Sequence, residues 1–410
     1  MKGKLLAWAD LLMYYGLLVF CATIPFSIAL ATGGLFGGAF GWILRCVLSG
    51  KVSWNVSALD RVILLFLAVQ ALSIPFSTDW ARSLNKFRSY WHLLPFALLV
   101  QSDFSDKRLR SALGILIASG VLSALLGIGQ YFLAGSGAGP DGAMRIAGTF
   151  GMYMTYAGIL SMIWALALFQ SARPGPGMSP KMRGLYLAAV AVIGFALVLS
   201  MTRIALLAMM AAVAILLLLK CRKTFLAVAL IATLALVAIA PARHAARALF
   251  WGTQTPGMDT NVMIPWAEQR PYLWKGAYRI IKDHPWTGVG LANFRNAYKQ
   301  YLPYGLKKTY NHAHNNFLNI GAETGLPGLA AFIVLNLAAC AFLFKACFKI
   351  SDGMPRALVG GVLAAFAGFH VAGLFEFNFG DSEVAMLFWF VLGLAIVAGR
   401  KEASESRACS

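Results

Sequence analysis

Charge is what this chain has least of. Of 410 residues only 12% are charged, and 16 acids stand against 35 lysines and arginines. Apolar residues fill the space, 59% by composition, gathered in repeated runs of about 17–25 residues, the length at which a helix spans a bilayer. Alternating apolar and polar stretches of roughly ten residues are absent, which excludes a membrane barrel. Backbone groups in hydrocarbon must be satisfied within a helix or around a closed sheet, so the fold class is an all-α polytopic membrane protein. The six cysteines (Cys21, Cys46, Cys221, Cys340, Cys347 and Cys409) sit in apolar runs or beside their ends, without metal-ligand spacing. They provide neither a disulfide framework nor a nucleophile. There is no Asp-x-Asp dyad to grip magnesium and a nucleotide sugar, and no internal repeat of the kind secondary transporters show. The net charge of +19 is spread between the apolar runs. Basic residues there set topology and meet anionic headgroups, so nucleic acid is not an expected partner.

Breaks at charged and Gly/Pro-rich positions divide the chain into about twelve spans, near 11–31, 32–48, 59–77, 89–101, 112–134, 147–170, 184–201, 203–219, 224–240, 326–344, 357–375 and 384–399. The basic start and Ala29-x-Ala31 imitate a signal peptide. The apolar part is longer than the usual h-region of about 7–15 residues, so a retained first span is expected. With the N-terminus cytoplasmic, one side collects 20 Lys and Arg in its short segments and the other side five. That asymmetry puts both termini inside and the long segment 241–315 outside. The expected organisation is nine helices over 1–240, a periplasmic loop domain over 241–325 carrying the active-site motif, three helices over 326–400 and a cytoplasmic tail over 401–410.

Segment 241–315 holds ten Lys and Arg, three acids and four of the six histidines. Basic charge on the side where topology does not require it suits a partner bearing phosphate, or a face lying against anionic lipid. Its tryptophans and tyrosines suit the membrane interface and equally suit stacking on sugars. The stretch TYNHAHNNFLNIGAETGLPG (309–328) concentrates two histidines, four asparagines and a glutamate just before an apolar run. If it is helical, Asn311, Asn315 and Asn319 fall on one face at i+4 spacing. GVGLANF (288–294) has no strand pattern before it and reads as a turn rather than a nucleotide loop.

His314-Asn315, followed after nine residues by Gly325-x-x-Gly328, resembles the signature of the O-antigen ligase and polymerase family of bacterial envelope glycosyltransferases. Further stretches agree in chain order: GTFGMYMTYAG (148–158), LVLSMTRIALLA (197–208) and EQRPYLWKGAYRIIKDHPWTGVGLANF (268–294), then NNFLNIGAETGLPGL (315–329). Together they cover roughly 145–330. Met201-Thr202 before Arg203 departs from the family's usual small-residue pairing. The resemblance implies an enzyme of the bacterial inner membrane that takes a glycan from undecaprenyl pyrophosphate and attaches it to a sugar hydroxyl of lipid A–core, facing the periplasm, without a cofactor.

A glycosyl pyrophosphate already has a good leaving group. The enzyme must therefore supply a base for the acceptor hydroxyl and positive charge for the departing diphosphate, in one inverting displacement. His314 has the pKa range for the first task. Arg203, at the outer start of a span, and Arg270, in the basic loop, suit the second, because a planar guanidinium pairs with phosphate in bidentate fashion. Snorkelling to headgroups is the plainer reading of Arg203. Asn315, Glu323, His312, Arg88 and Arg145 stand behind them, Glu323 as an orienting partner for His314 or a pair for an arginine. His312, His314, His284 and Asp283 are near in sequence but lack zinc-site spacing, so no metal is expected. Two alternatives remain open: a polymerase of the same family, whose members tend to show two large outer loops, and a transporter of polyprenyl-linked sugars, which would need no base.

Overall fold

The structure, a computed structural model, describes residues 2–409 except 53, 103, 135–144, 176–177, 239–265, 303–309 and 351–352. Much of the 241–315 segment and its junctions therefore lies outside the described residues. In chain order the helices are α1 (Lys2–Thr23), α2 (Ile28–Ser49), α3 (Asp60–Ser73), α4 (Trp80–Arg88), α5 (Leu94–Gln101), α6 (Asp106–Gly129), α7 (Tyr153–Ala172), α8 (Pro180–Leu199), α9 (Arg203–Lys220), α10 (Arg222–Ala238), α11 (Trp266–Asp283), α12 (Phe294–Tyr298), α13 (Asn316–Lys349), α14 (Met354–Gly373) and α15 (Ser382–Cys409). No strand occurs among the described residues.

The apolar runs become helices because no other backbone state satisfies its own polar groups in hydrocarbon, and the sequence marks several starts with oxygen-bearing caps. Ser27, Ser105 and Ser179 each accept the N–H three residues on, from Leu30, Arg108 and Met182. Each such cap is worth about 1 kcal/mol. At the end of the bundle that holds those last two caps, basic side chains satisfy carbonyls. Arg400 donates to Val100, Asn55 and Val56, Arg173 to Leu219, Lys220 to Ala172 and Arg356 to Cys347. Several of these are helix-terminal carbonyls left over where the helix runs out of N–H groups.

Nine described helices are long and apolar enough to cross a membrane: α1, α2, α6, α7, α8, α9, α13, α14 and the Ser382–Arg400 part of α15. About twelve were expected. Two expected spans are shorter, α3 with 14 residues and α5 with 8, while α10 is described for 17 residues, as far as Ala238, where the undescribed 239–265 begin. In 59–101 the apolar stretch is divided by Pro75 and Pro95 and by 3-10 turns at Ile74–Phe76 and Ser89–Leu93, so it folds as short pieces. The second and third expected boundaries also shift, since α1 ends at Thr23 before Pro25 rather than at 31.

Burial separates centre from periphery. The apolar windows of α7, α14 and α15 are 78%, 78% and 83% buried, whereas those of α1, α2, α8, α9 and α13 are about a third buried. The outer helices turn Trp8, Phe36, Phe40, Leu185, Met210 and Leu337 outward, as lipid allows. α1 and α2 pair through Gly16, Gly34 and Gly41, where a Cβ would collide with the facing backbone; small residues let membrane helices approach this closely.

Candidate functional site

The site forms at the end of the bundle opposite the carbonyl-capping arginines, and a break in α13 makes room for it. Pro327 has no N–H, and Gly325 takes φ 69° and ψ −172°, so the helix loses its ladder there. The freed carbonyls of Ala322 and Glu323 accept the N–H groups of Val289 and Gly290 at 3.0 and 2.8 Å, and Leu326 N–H turns to Pro285 O at 2.7 Å. The 284–293 loop is thereby stitched to α13. Its other side docks on the α4 region. Thr78 N–H reaches Val289 O, Ser83 Oγ donates to Leu291 O, and Asn293 Nδ2 donates to Ser83 Oγ and Asp79 O. Gly290, at φ 94°, lies where a Cβ would sit 2.0 Å from Ser77 Cβ. The expected turn at 288–294 is thus present. Beneath it Leu273, Ala277 and Ile280 of amphipathic α11 form a small core with Val289, Phe294, Tyr298 and Ala322.

This scaffold presents His314. Residues 310–315 are not helical. Asn315 is the N-cap of α13, accepting Leu318 N–H at 3.0 Å, while Asn319 Oδ1 accepts Ala313 N–H at 3.1 Å. Between these two ties His314 adopts φ 49°, a left-handed conformation that costs a non-glycine residue roughly 1–2 kcal/mol. The turn after α14 supplies its partner. Asn315 Nδ2 donates to Leu374 O at 3.0 Å, which brings residues 374–376 alongside. Both oxygens of Glu376 then lie 2.9 and 3.0 Å from His314 Nδ1. Both side chains are buried. A carboxylate can only accept, so a ring hydrogen sits on Nδ1, and in the neutral ring Nε2 carries the lone pair. Glu376 also accepts the Phe377 N–H at 2.9 Å. Burial by itself would raise its pKa; the His314 ring and its hydrogen bond, His312 and the Phe377 N–H override burial and hold it at about 2.

Three arginines from separate segments gather beside this pair. Arg270, near the start of α11, is buried, with its guanidinium carbon 5.9 Å from the Phe375 ring centre. Its Nε is buried and finds no hydrogen-bond partner among the described residues. Burial lowers its pKa, with Glu376 opposing, Arg203 adding to the lowering and Tyr153 opposing. Arg203 begins α9, exposed, just after Met201 at φ 50° and Thr202, which shares a hydrogen bond with Ser200. Arg145 lies 4.6 Å over the ring of Tyr153. Phe375 packs with Ile204, Leu207, Ala208 and Ala372 against Met154 and Trp274, which ties α7, α9, α11 and α14 together at this spot.

The remaining candidates divide. His312 is half-buried, its Nδ1 3.7 Å from Glu376 Oε1 and accepting the His314 N–H. Burial, then His314, lowers its pKa to about 4, with Glu376 opposing and Lys86 adding to the lowering. His312 and His314 therefore face one acid, where a helical reading would have turned them apart. Glu323 is not the partner of His314. It is buried, and its carboxylate faces the backbone N–H groups of Ala292 and Phe294, so it belongs to the stitched loop. The asparagine stripe does not form: Asn311 precedes the helix and accepts from Arg295, and Asn315 caps it. Arg88 is exposed and donates to Asn85 at 3.4 Å. Sequence reading missed Glu376 and Tyr153. A lone acid in GLFEFNFG, between two apolar runs, was the available signal. Ligand atoms of His312, His314 and Glu376 all lie within 4.8 Å of one another, a grouping that could hold a metal ion.

A many-helix membrane bundle thus carries a buried histidine–carboxylate pair with Arg145, Arg203 and Arg270 at the same end. Residues 188–333 match the family model described as O-antigen ligase. The family is one of membrane glycosyltransferases of the ligase and polymerase type. The matched segment includes Arg203, Arg270, His312, His314, Asn315 and Glu323; Arg88, Arg145 and Glu376 lie outside it. No curated protein matches the chain. One solved chain, from work on the structural coordination of polymerization and crosslinking by a peptidoglycan synthase complex, is similar at a TM-score of 0.47 and 16% identity, covering 83% of this chain and 97% of that one.

Proposed function

We propose that the chain is an O-antigen ligase that transfers a glycan from undecaprenyl pyrophosphate to a sugar hydroxyl of lipid A–core, without a cofactor. The observation that carries this reading is the pairing of His314 with Glu376 beside Arg270, whose buried Nε lacks a partner. In the proposed step His314 Nε2 takes the proton of the acceptor hydroxyl, whose oxygen attacks the anomeric carbon from the face opposite the diphosphate. The bond from that carbon to the diphosphate oxygen breaks as the new one forms, which inverts the centre. Undecaprenyl pyrophosphate leaves with its charge on oxygens facing Arg270 and Arg203, with Arg145 behind them, in a setting dry enough for those charges to count. Glu376 fixes the ring's tautomer and stabilises the imidazolium that forms, the part a buried acid plays in hydrolytic triads.

The charge asymmetry of the short loops supports an inner-membrane protein with both termini cytoplasmic and this site periplasmic. Both substrates are amphiphiles, so the site opens toward lipid as well as water. The test is transfer by the purified chain in detergent with chelator present, given undecaprenyl-pyrophosphate glycan with and without lipid A–core. Glycan on lipid A–core, lost in a folded His314→Ala variant, is the expected result. Longer chains on the polyprenyl carrier without any acceptor would make the protein a polymerase. No transfer by a folded protein would favour transport.

A further inference from the structure

His312 and His314 point the same ring atom at one oxygen: their Nδ1 atoms stand 3.7 and 2.9 Å from Glu376 Oε1. A tetrahedral zinc ion with ligands at about 2.0–2.2 Å holds neighbouring donor atoms roughly 3.3 Å apart. The two observed separations bracket that spacing, and the rings are already close, with centres 4.2 Å apart. The His312 side chain is 29% exposed, against 6% for His314 and 10% for Glu376. An arriving ion would meet one accessible ligand with two buried ones behind it. Two imidazoles and a carboxylate are the donor set of open zinc sites, and they select later first-row metals over magnesium or calcium.

We propose that His312, His314 and Glu376 form a binding site for a divalent transition-metal ion, with zinc as its reference ion, and that the ion inhibits the chain's transfer reaction. Binding stands on geometry alone; inhibition rests on the function proposed above. The ion takes the Nδ1 lone pair of His314. A neutral imidazole coordinated at Nδ1 carries its hydrogen on Nε2, so the nitrogen that accepts the sugar's proton becomes a donor. The ring proton moves from Nδ1 to Nε2, and a metal–oxygen bond to Glu376 replaces the hydrogen bond. His312 Nδ1 exchanges the His314 N–H, 3.4 Å away, for the metal. Nothing is oxidised or reduced, and the fourth position holds water.

The experiment titrates the metal-stripped full chain in detergent with buffered zinc, first without substrate and then during transfer. One zinc per chain is expected, in a shell of two imidazole nitrogens and carboxylate oxygen by X-ray absorption. His312→Gln and Glu376→Gln should each weaken binding by about tenfold or more, His312→Gln while melting like the parent and Glu376→Gln while still folded. Transfer should fall in step with occupancy, recover on chelation and ignore magnesium. Absence of binding at micromolar free zinc, or unchanged affinity in both variants, would overturn the site. Binding without loss of transfer would overturn inhibition. Binding with no transfer in any metal state would support the site and overturn the function it was tied to.

Discussion

Replacing Glu376 with glutamine removes one charge and almost no volume, so it isolates what the carboxylate does for His314. The amide oxygen can still reach Nδ1 across the 2.9 Å contact, and the ring keeps its place between the Asn315 and Asn319 ties. The carboxyl's own titration gauges what is lost. Burial pushes it up from 4.5, yet His314, its hydrogen bond, His312 and the Phe377 N–H bring it to about 2. At 1.36 kcal/mol per unit, roughly 3 kcal/mol favours the charged carboxylate in the folded protein. Its folded value is below its unfolded one, so this stability is present above about pH 4.5 and lost as pH falls toward 2. A hydrogen bond to a charged group is worth about 1.5–3 kcal/mol, and the carboxylate makes one to the imidazolium that forms at the transition state. Glu376→Gln should therefore lower kcat by roughly 10²-fold, with KM little changed, because the carboxylate touches the base and not the substrate. Glu376→Asp, which keeps the charge and shortens the reach, should fall between. The assay is glycan transfer to lipid A–core at neutral pH, with chelator, and with melting temperatures measured alongside. A folded Glu376→Gln protein with the parent's kcat would refute the pairing as a functional unit.

Arg270→Lys and Arg203→Lys should each lower kcat/KM by about tenfold or more, since a point charge does not reproduce the guanidinium fork; steady-state kinetics with varied donor would show it. Arg88→Ala, whose side chain is exposed and engaged with Asn85, should leave donor kinetics within about twofold of the parent, and a larger loss would bring α4 into the donor site. Gly290→Ala would force a Cβ to within 2.0 Å of Ser77 at φ 94°. Thermal unfolding in detergent should show a loss of roughly 2–4 kcal/mol from strain and overpacking, and unchanged stability would mean that the 284–293 loop is not stitched as described.

Membrane helices were legible because their cause is local: an apolar run of sufficient length has no other way to satisfy its backbone. Even so, Pro75 and Pro95 divide 59–101 into short elements, and α3 and α5 fall short of the length that nine other described helices reach. His314, Arg203 and Arg270 could be singled out because the stretches that carry them resemble the family's motifs, and for Arg203 also because an ionisable residue at membrane depth stands out. The 309–328 stretch is helical only from Asn316 onward, so the condition for an asparagine stripe is not met. Asn315 caps α13 rather than lining it, and the left-handed turn at His314 sets both histidines on the same acid.

Sequence alone thus determined that the chain is a helical membrane protein, which follows from composition within about twenty residues, the reach of one span. Its His314, Arg203 and Arg270 stood out through the resemblance of the motifs that carry them. Tertiary structure decided which acid His314 meets. Glu376 lies 62 residues further on, beyond α13 and α14, and is brought alongside the ring by the hydrogen bond from Asn315 to the Leu374 carbonyl. It also decided that Arg145, Arg203 and Arg270, carried by separate segments, converge around Tyr153 and Phe375. No local pattern encodes either meeting, because each depends on how helix ends register across the bundle, which is set by the packing of whole helices.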